Sequence, residues 1–207
     1  MWLGEPLVRI LDTGVRILPQ REWEERERTV YRDLYDAATR IDADRVLILP
    51  CLAGETLATL LEDANVEEPR RQSAIESAVV ALAEFHAAGF THGDAMAENV
   101  MIDVGAGVAR WFDFETVHDP SRSMAWRRAD DVRALLGTCL TRTSAEKRAA
   151  TLGFILDVYA NDDVIRVLTA NFTSVWRRAL TFHLAQAPVS FQSFRETALL
   201  LQARVGR

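Results

Sequence analysis

The chain has 207 residues, 49% of them apolar and 26% charged, which suits one sizeable core or two small lobes and excludes a disordered polypeptide. A net charge of −6 argues against nucleic acid as the main partner, and no apolar run approaches the ~20 residues of a membrane span. The opening MWLGEPLVRIL lacks the cationic start and apolar core of a signal peptide, and Cys51 and Cys139, in unrelated segments, read as buried reduced thiols, so a cytoplasmic protein is expected.

Residues 6–18 read as two short strands, Pro6–Leu11 and Gly14–Leu18, turning at Asp12-Thr13-Gly14. Residues 21–40 read as a helix. Trp23, Val30, Leu34, Ala37 and Ile41 fall at helical spacing, and Glu27 shares their stripe, so a carboxylate faces inward. Arg45–Leu49 is a short apolar strand, Pro50–Gly54 a connector, and Glu55–Asp63 the start of another helix. Pro69 opens a strong helix to Ala88, with Ile75, Val79, Leu82 and Phe85 as its buried stripe and Gly89 placed to end it. Phe90–His92 and a loop over 93–98 lead into a hairpin, Asn99–Asp103 and Val108–Phe112, around Gly105-Ala106-Gly107. After Ser123 the chain reads as helical. One helix spans 124–140, and a second starts at Thr143, which with Glu146 makes a capping-box pattern. A third starts at Asp162 or Asp163 and carries Val164, Leu168, Val175 and Trp176, and a fourth spans 190–205. This order predicts an α+β fold in two lobes. A reduced N-terminal part over 1–49 is joined by the connector 50–54 to a larger helical part over 55–207 that contains the hairpin, with a cleft at the connector.

The chemistry-bearing stretch is His92-Gly93-Asp94-Ala95-Met96-Ala97-Glu98-Asn99, followed after the hairpin by Asp113-Phe114-Glu115. Asp94 supplies a carboxylate that can meet a hydroxyl proton. Asn99 and Asp113 supply hard oxygen ligands suited to Mg²⁺. Phosphoryl transfer needs such groups close together, because it is mostly positioning and charge neutralisation.

In this order the motifs resemble the protein-kinase-like superfamily, and within it the aminoglycoside phosphotransferase, lipopolysaccharide kinase and RIO-type branches. The resemblance covers roughly residues 14–140. His92-Gly93-Asp94 with Asn99 is similar to the catalytic loop of those families, Asp113-Phe114-Glu115 to their metal-binding motif, and Phe85-His86-Ala87-Ala88-Gly89 to the end of the preceding helix. Asp131, in Asp131-Val132-Arg133-Ala134-Leu135-Leu136, matches the buried aspartate that holds the catalytic loop by its backbone N–H groups. Leu49–Leu57 resembles the hinge, where the carbonyl of Pro50 and the N–H of Leu52 would take an adenine. The resemblance implies ATP and Mg²⁺ as cofactors, Asp94 as catalytic base, Asn99 and Asp113 as metal ligands, and a small-molecule or glycan hydroxyl as acceptor. His92 and His86 are expected to be structural.

The chain departs from the pattern in its first part. Gly4 and Gly14 are the only glycines before the hinge, so the glycine-rich loop is missing, and the only lysine is Lys147 in the helical part. Arg16, expected to pair with Glu27, is the best substitute for the phosphate-gripping lysine, and Arg9 the second. Glu115 replaces the usual glycine. Gly93 replaces an arginine that reads a phosphorylated activation loop, and Thr116–Met124 is short, so control of that kind is not expected. His118, His183, Trp126 and Trp176 carry no chemistry in this reading. The arginines at 177, 178, 195, 204 and 207 form at most a basic surface. The alternative reading is a pseudokinase-like nucleotide-binding or regulatory module.

Overall fold

The structure is a computed structural model that describes residues 14–42, 46–173 and 191–205. Its described elements, in order, are β1 (Val15–Ile17), α1 (Gln20–Tyr35), β2 (Arg40–Ile41), β3 (Leu47–Ile48), β4 (Glu55–Thr56), α2 (Leu57–Glu62), α3 (Glu68–Ala87), a 3-10 turn (Ala97–Asn99), β5 (Val100–Asp103), β6 (Val108–Trp111), β7 (Thr116–His118), α4 (Met124–Thr141), α5 (Arg148–Tyr159), α6 (Asp162–Thr173) and α7 (Phe191–Val205). The fold class is α+β. Three small antiparallel sheets are present among the described residues, pairing β1 with β7, β2 with β3, and β4 with β5 and β6.

Several expected boundaries shift, each for a local reason. Helix α1 ends at Tyr35, not near residue 40, because Asp36 turns left-handed (φ 46°) and the N–H of Ala37 closes on the carbonyl of Tyr31. Ala37 and Ile41 therefore leave the helix, and Arg40–Ile41 pairs with Leu47–Ile48 instead. Glu55 and Thr56 belong to a strand paired with Ile102 and Met101, and the Thr56 hydroxyl caps α2 by accepting from the N–H of Thr59. The capping box at Thr143 does not form. Its hydroxyl donates to the carbonyl of Cys139, Glu146 takes the Ser144 hydroxyl, and α5 starts at Arg148. Cys51 is exposed rather than buried, while Cys139 is buried. The expected strand Pro6–Leu11, Arg9, and Val175 and Trp176 lie outside the described residues.

Helix α3 is the central element. Pro69 sits in its first turn, where its missing N–H is harmless. It ends in a Schellman motif: Phe90 N–H closes on Phe85, Gly89 N–H on His86, and the Phe85 and Phe90 rings lie 5.4 Å apart over the turn. Its stripe of Ile75, Ala78, Val79, Leu82 and Phe85 joins one core with Leu57 and Leu60 of α2, Val100 and Ile102 of β5, Val132, Leu135 and Leu136 of α4, and Leu152, Ile155 and Leu156 of α5. Each such side chain, fully buried, contributes about 1.5–3 kcal/mol. Phe114 stacks on Phe85 at 5.5 Å with rings nearly parallel, so the segment after β6 is anchored in this core.

Candidate active site

The loop 92–98 runs along α4, and the reason is a set of buried polar contacts. Asp131 is 1% exposed, and burying a charge costs several kcal/mol unless hydrogen bonds replace its water. They do here. Its carboxylate accepts the N–H of His92 at 2.7 Å, the N–H of Gly93 at 2.8 Å and His86 Nε2–H at 2.9 Å. The Asp131 carboxylate only accepts, so His86 Nε2 is the donor, and His86 Nδ1 in turn meets the Tyr159 hydroxyl at 2.7 Å. Burial alone would raise the Asp131 carboxyl, but His118 and His86 outweigh it and hold the group well below the usual carboxylate range.

His92 is fully buried. Its Nε2–H donates to the carbonyl of Phe112 at 3.0 Å, and its Nδ1 accepts the N–H of Asp94 at 3.3 Å. Burial pushes its pKa down to about 4, so the ring is neutral and orients the residue next to it. Asn99 Nδ2 donates to the Asp94 carboxylate and to the Asp94 carbonyl, both at 2.9 Å. This uses the amide nitrogen, and no hydrogen bond to Asn99 Oδ1 is seen among the described residues. The carbonyl of Asn99 accepts the N–H of Phe112, one residue past the β5–β6 ladder, so Asp113 follows directly at the same end of the hairpin as Asn99 and Asp94.

Asp113 is in the left-handed region, with φ 64°. That conformation costs an L-residue on the order of 1 kcal/mol, less for Asp, and it drives Phe114 into the core while leaving the carboxylate accessible. Partial enclosure of the carboxyl pushes its pKa up, and the N–H of Glu115 pulls it partly back. Glu115 is exposed; enclosure and the neighbouring Asp113 both raise its pKa.

Glu27 faces inward, as its place on the stripe suggests, and is 1% exposed. Its partners correct the expectation. Oε1 accepts the N–H of Phe114 at 2.9 Å and Trp23 Nε1–H at 3.1 Å, while Oε2, shielded from solvent, has no partner. Arg16 does not pair with Glu27. Its side chain leaves β1 on the exposed side and reaches Glu22, in the first turn of α1, at 3.1 Å. Burial raises the Glu27 carboxyl above its ordinary value, against the two hydrogen bonds.

Three contributors escaped the sequence reading. Arg26, beside Glu27, donates to the carbonyl of Thr91 just before the loop; burial lowers its pKa against the pull of Asp131 and Glu27. His118 on β7 is buried between the Thr91 hydroxyl at 3.0 Å and Asp130 at 3.3 Å, with Asp131 at 3.7 Å. Thr138 of α4 accepts the N–H of Ala97 at 3.0 Å. The signal for Thr138 is its spacing of seven residues from Asp131, which keeps both on one helix face.

Gly93 has a steric reason. At φ 87° a Cβ would lie 2.9 Å from the carbonyl oxygen of Thr116, so β7 runs through the space that a side chain at 93 would need. At the connector, Pro50 and Leu52 are half-buried, and no hydrogen bond to the carbonyl of Pro50 or from the N–H of Leu52 is seen among the described residues. No group of three or more His, Cys, Asp or Glu side chains among the described residues is placed to hold a metal ion. The oxygen set at hand is one amide and one carboxylate. That set fits Mg²⁺, which is commonly held by one or two protein groups and completes its shell with water and phosphate.

Comparison with protein-family models gave no match, and comparison with curated proteins gave none either. No helix among the described residues is long and apolar enough to cross a membrane.

Proposed function

We propose that the chain is a phosphotransferase of two-lobed, protein-kinase-like architecture, moving the γ-phosphate of ATP to a hydroxyl of a small molecule or glycan. The observation that carries the reading is the bond from Asn99 Nδ2 to the Asp94 carboxylate. It supports the reading by joining the Asp94 carboxylate to the Asn99 amide, and the Asn99–Phe112 backbone bond sets Asp113 at the same end of the β5–β6 hairpin. Asp94 orients the acceptor hydroxyl and takes its proton. Asn99 Oδ1 and Asp113 would hold the metal. When bound, Mg²⁺ supplies the positive charge that steadies the phosphates during transfer. His92, neutral and fixed by Phe112, keeps the Asp94 backbone in place, and Asp131 holds the loop from below. The carbonyl of Pro50 and the N–H of Leu52 suit an adenine edge.

A second reading, a pseudokinase-like nucleotide-binding module, is favoured by one observation. Arg16 is engaged by Glu22, so the expected replacement for the missing lysine is not aimed at Glu27. One experiment separates the two. Thermal shift with ATP and Mg²⁺ is followed by ADP release over an acceptor panel, with Asp94→Ala and Asp113→Ala alongside. Turnover lost in Asp94→Ala, and Mg²⁺-dependent binding lost in Asp113→Ala, support the phosphotransferase. Binding without turnover supports the second reading, and no binding by the wild type sinks both.

A further inference from the structure

Helix α4 touches the loop 92–99 at three levels. Asp131 accepts the N–H groups of His92 and Gly93, Thr138 Oγ1 accepts the N–H of Ala97, and Arg142 Nη2 donates to Glu98 Oε1 at 2.7 Å. Asp131 and Thr138, seven residues apart, share one face of α4, and Arg142 is its C-cap. Ala97, Glu98 and Asn99 form the 3-10 turn that delivers the Asn99 amide to Asp94. Two of the three contacts therefore fall on the two residues immediately before Asn99.

We infer that Thr138 and Arg142 are positioning residues for Asn99: they fix the 3-10 turn, and through it the direction of the Asn99 side chain. The inference rests on the phosphotransferase reading only for its functional consequence. Thr138 is 1% exposed, and its hydroxyl proton is directed at the carbonyls of Ala134 and Leu135, so an oxygen lone pair faces Ala97 N–H. Ala97 is fully buried, and no water can replace that acceptor. Arg142 is 13% exposed and closes three bonds at once: to Glu98, to Glu62 at 2.7 Å, and to the carbonyl of Thr138 at 3.0 Å. The planar fork of arginine spans these acceptors, whereas an ammonium group cannot.

The test compares Thr138→Val, which keeps the shape and removes the acceptor, with Thr138→Ser, which keeps the acceptor. The first readout is the Asn99 side-chain amide in NMR spectra of the protein alone. In Thr138→Val its two N–H resonances shift and exchange faster with solvent; in Thr138→Ser they stay in place; in Arg142→Lys they move in the same direction as in Thr138→Val. The second readout is the affinity for ATP with Mg²⁺, which falls about tenfold in Thr138→Val and recovers in Thr138→Ser. An Asn99 amide unchanged in Thr138→Val overturns the inference, as does an equal change in Thr138→Ser. A wild type that binds no ATP, together with the expected Asn99 shifts, sinks the phosphotransferase reading and leaves the positioning role standing.

Discussion

Glu27 Oε1 accepts the N–H of Phe114 at 2.9 Å, so a carboxylate of α1 is fastened to the residue after Asp113. The bond fixes the left-handed turn at Asp113 from outside the hairpin, and it is made by a charge that burial disfavours. Glutamine offers the same acceptor without that charge. Glu27→Gln is expected to stay within about 1 kcal/mol of the wild type, and Glu27→Ala to lose about 2–4 kcal/mol, because Phe114 N–H and Trp23 Nε1–H lose their acceptor and a cavity opens. Urea denaturation of both variants checks this; equal losses would count against the role of the bond.

Asp131 accepts from two adjacent backbone N–H groups with its two oxygens. An asparagine must turn its NH₂ towards one of them. Asp131→Asn is expected to cost about 3–5 kcal/mol, as when one partner is removed from a buried charged network. Hydrogen exchange at His92 and Gly93 should accelerate far more than at the core of α3. Uniform acceleration along the chain would show that Asp131 acts on global stability and not on the loop.

Two histidines act on opposite limbs of the pH profile, while the raised Glu27, Asp113 and Glu115 carboxyls favour the acid side and so oppose His92. His92 is buried neutral with its pKa near 4 against 6.5, so its contribution is complete above pH 6.5 and is lost as pH falls towards 4. That difference amounts to on the order of 3 kcal/mol. For His118, burial works downward, but Asp131 and Asp130 raise the pKa above 6.5 overall. Its contribution is complete below pH 6.5 and is lost as pH rises through the raised value. Melting temperatures measured from pH 4 to 9 should fall on the alkaline side, and His118→Gln should flatten that side alone. A His92 ring that titrates near 6.5 in an NMR pH series of the folded protein excludes the assignment for His92.

Gly93→Ala should destabilise by about 1–3 kcal/mol, because its Cβ meets the Thr116 carbonyl at 2.9 Å and φ is 87°. The same change at Gly107, where φ is 66° but no atom lies within 4 Å of the added Cβ, carries the backbone cost alone and should be milder. Melting temperatures of the two variants separate crowding from backbone strain.

The residues of the loop stood out in the sequence as chemistry-bearing groups, and their arrangement was expected from the resemblance. The hairpin was legible from its own residues, whereas the hold of Asp131 on His92 and Gly93 was expected only from the family resemblance. What was not legible depends on rotamers and distant partners. Arg16 leaves its strand towards Glu22 because a three-residue strand does not determine where a long side chain goes. The helix over 21–40 was read too long because Ala37 and Ile41 continue its apolar spacing, while the stop lies in the conformation of Asp36. Thr138 was missed because its spacing from Asp131 marks only a shared helix face, and a threonine hydroxyl in a helix ordinarily bonds back to its own helix. Strand β7 was missed because its three residues find their partner about a hundred positions earlier, at β1.

That pairing has a consequence for how the protein is made. Val15, Arg16 and Ile17 are ladder partners of His118, Val117 and Thr116, and the ladder is closed at both ends by Leu18 N–H on Glu115 and Asp119 N–H on Gly14. At a synthesis rate of about 5–20 residues per second, β1 leaves the ribosome roughly 5–20 s before the strand it pairs with exists. The β1–β7 ladder therefore cannot close until residue 119 has been translated, after the β2–β3 and β4–β5–β6 pairings have all been synthesised.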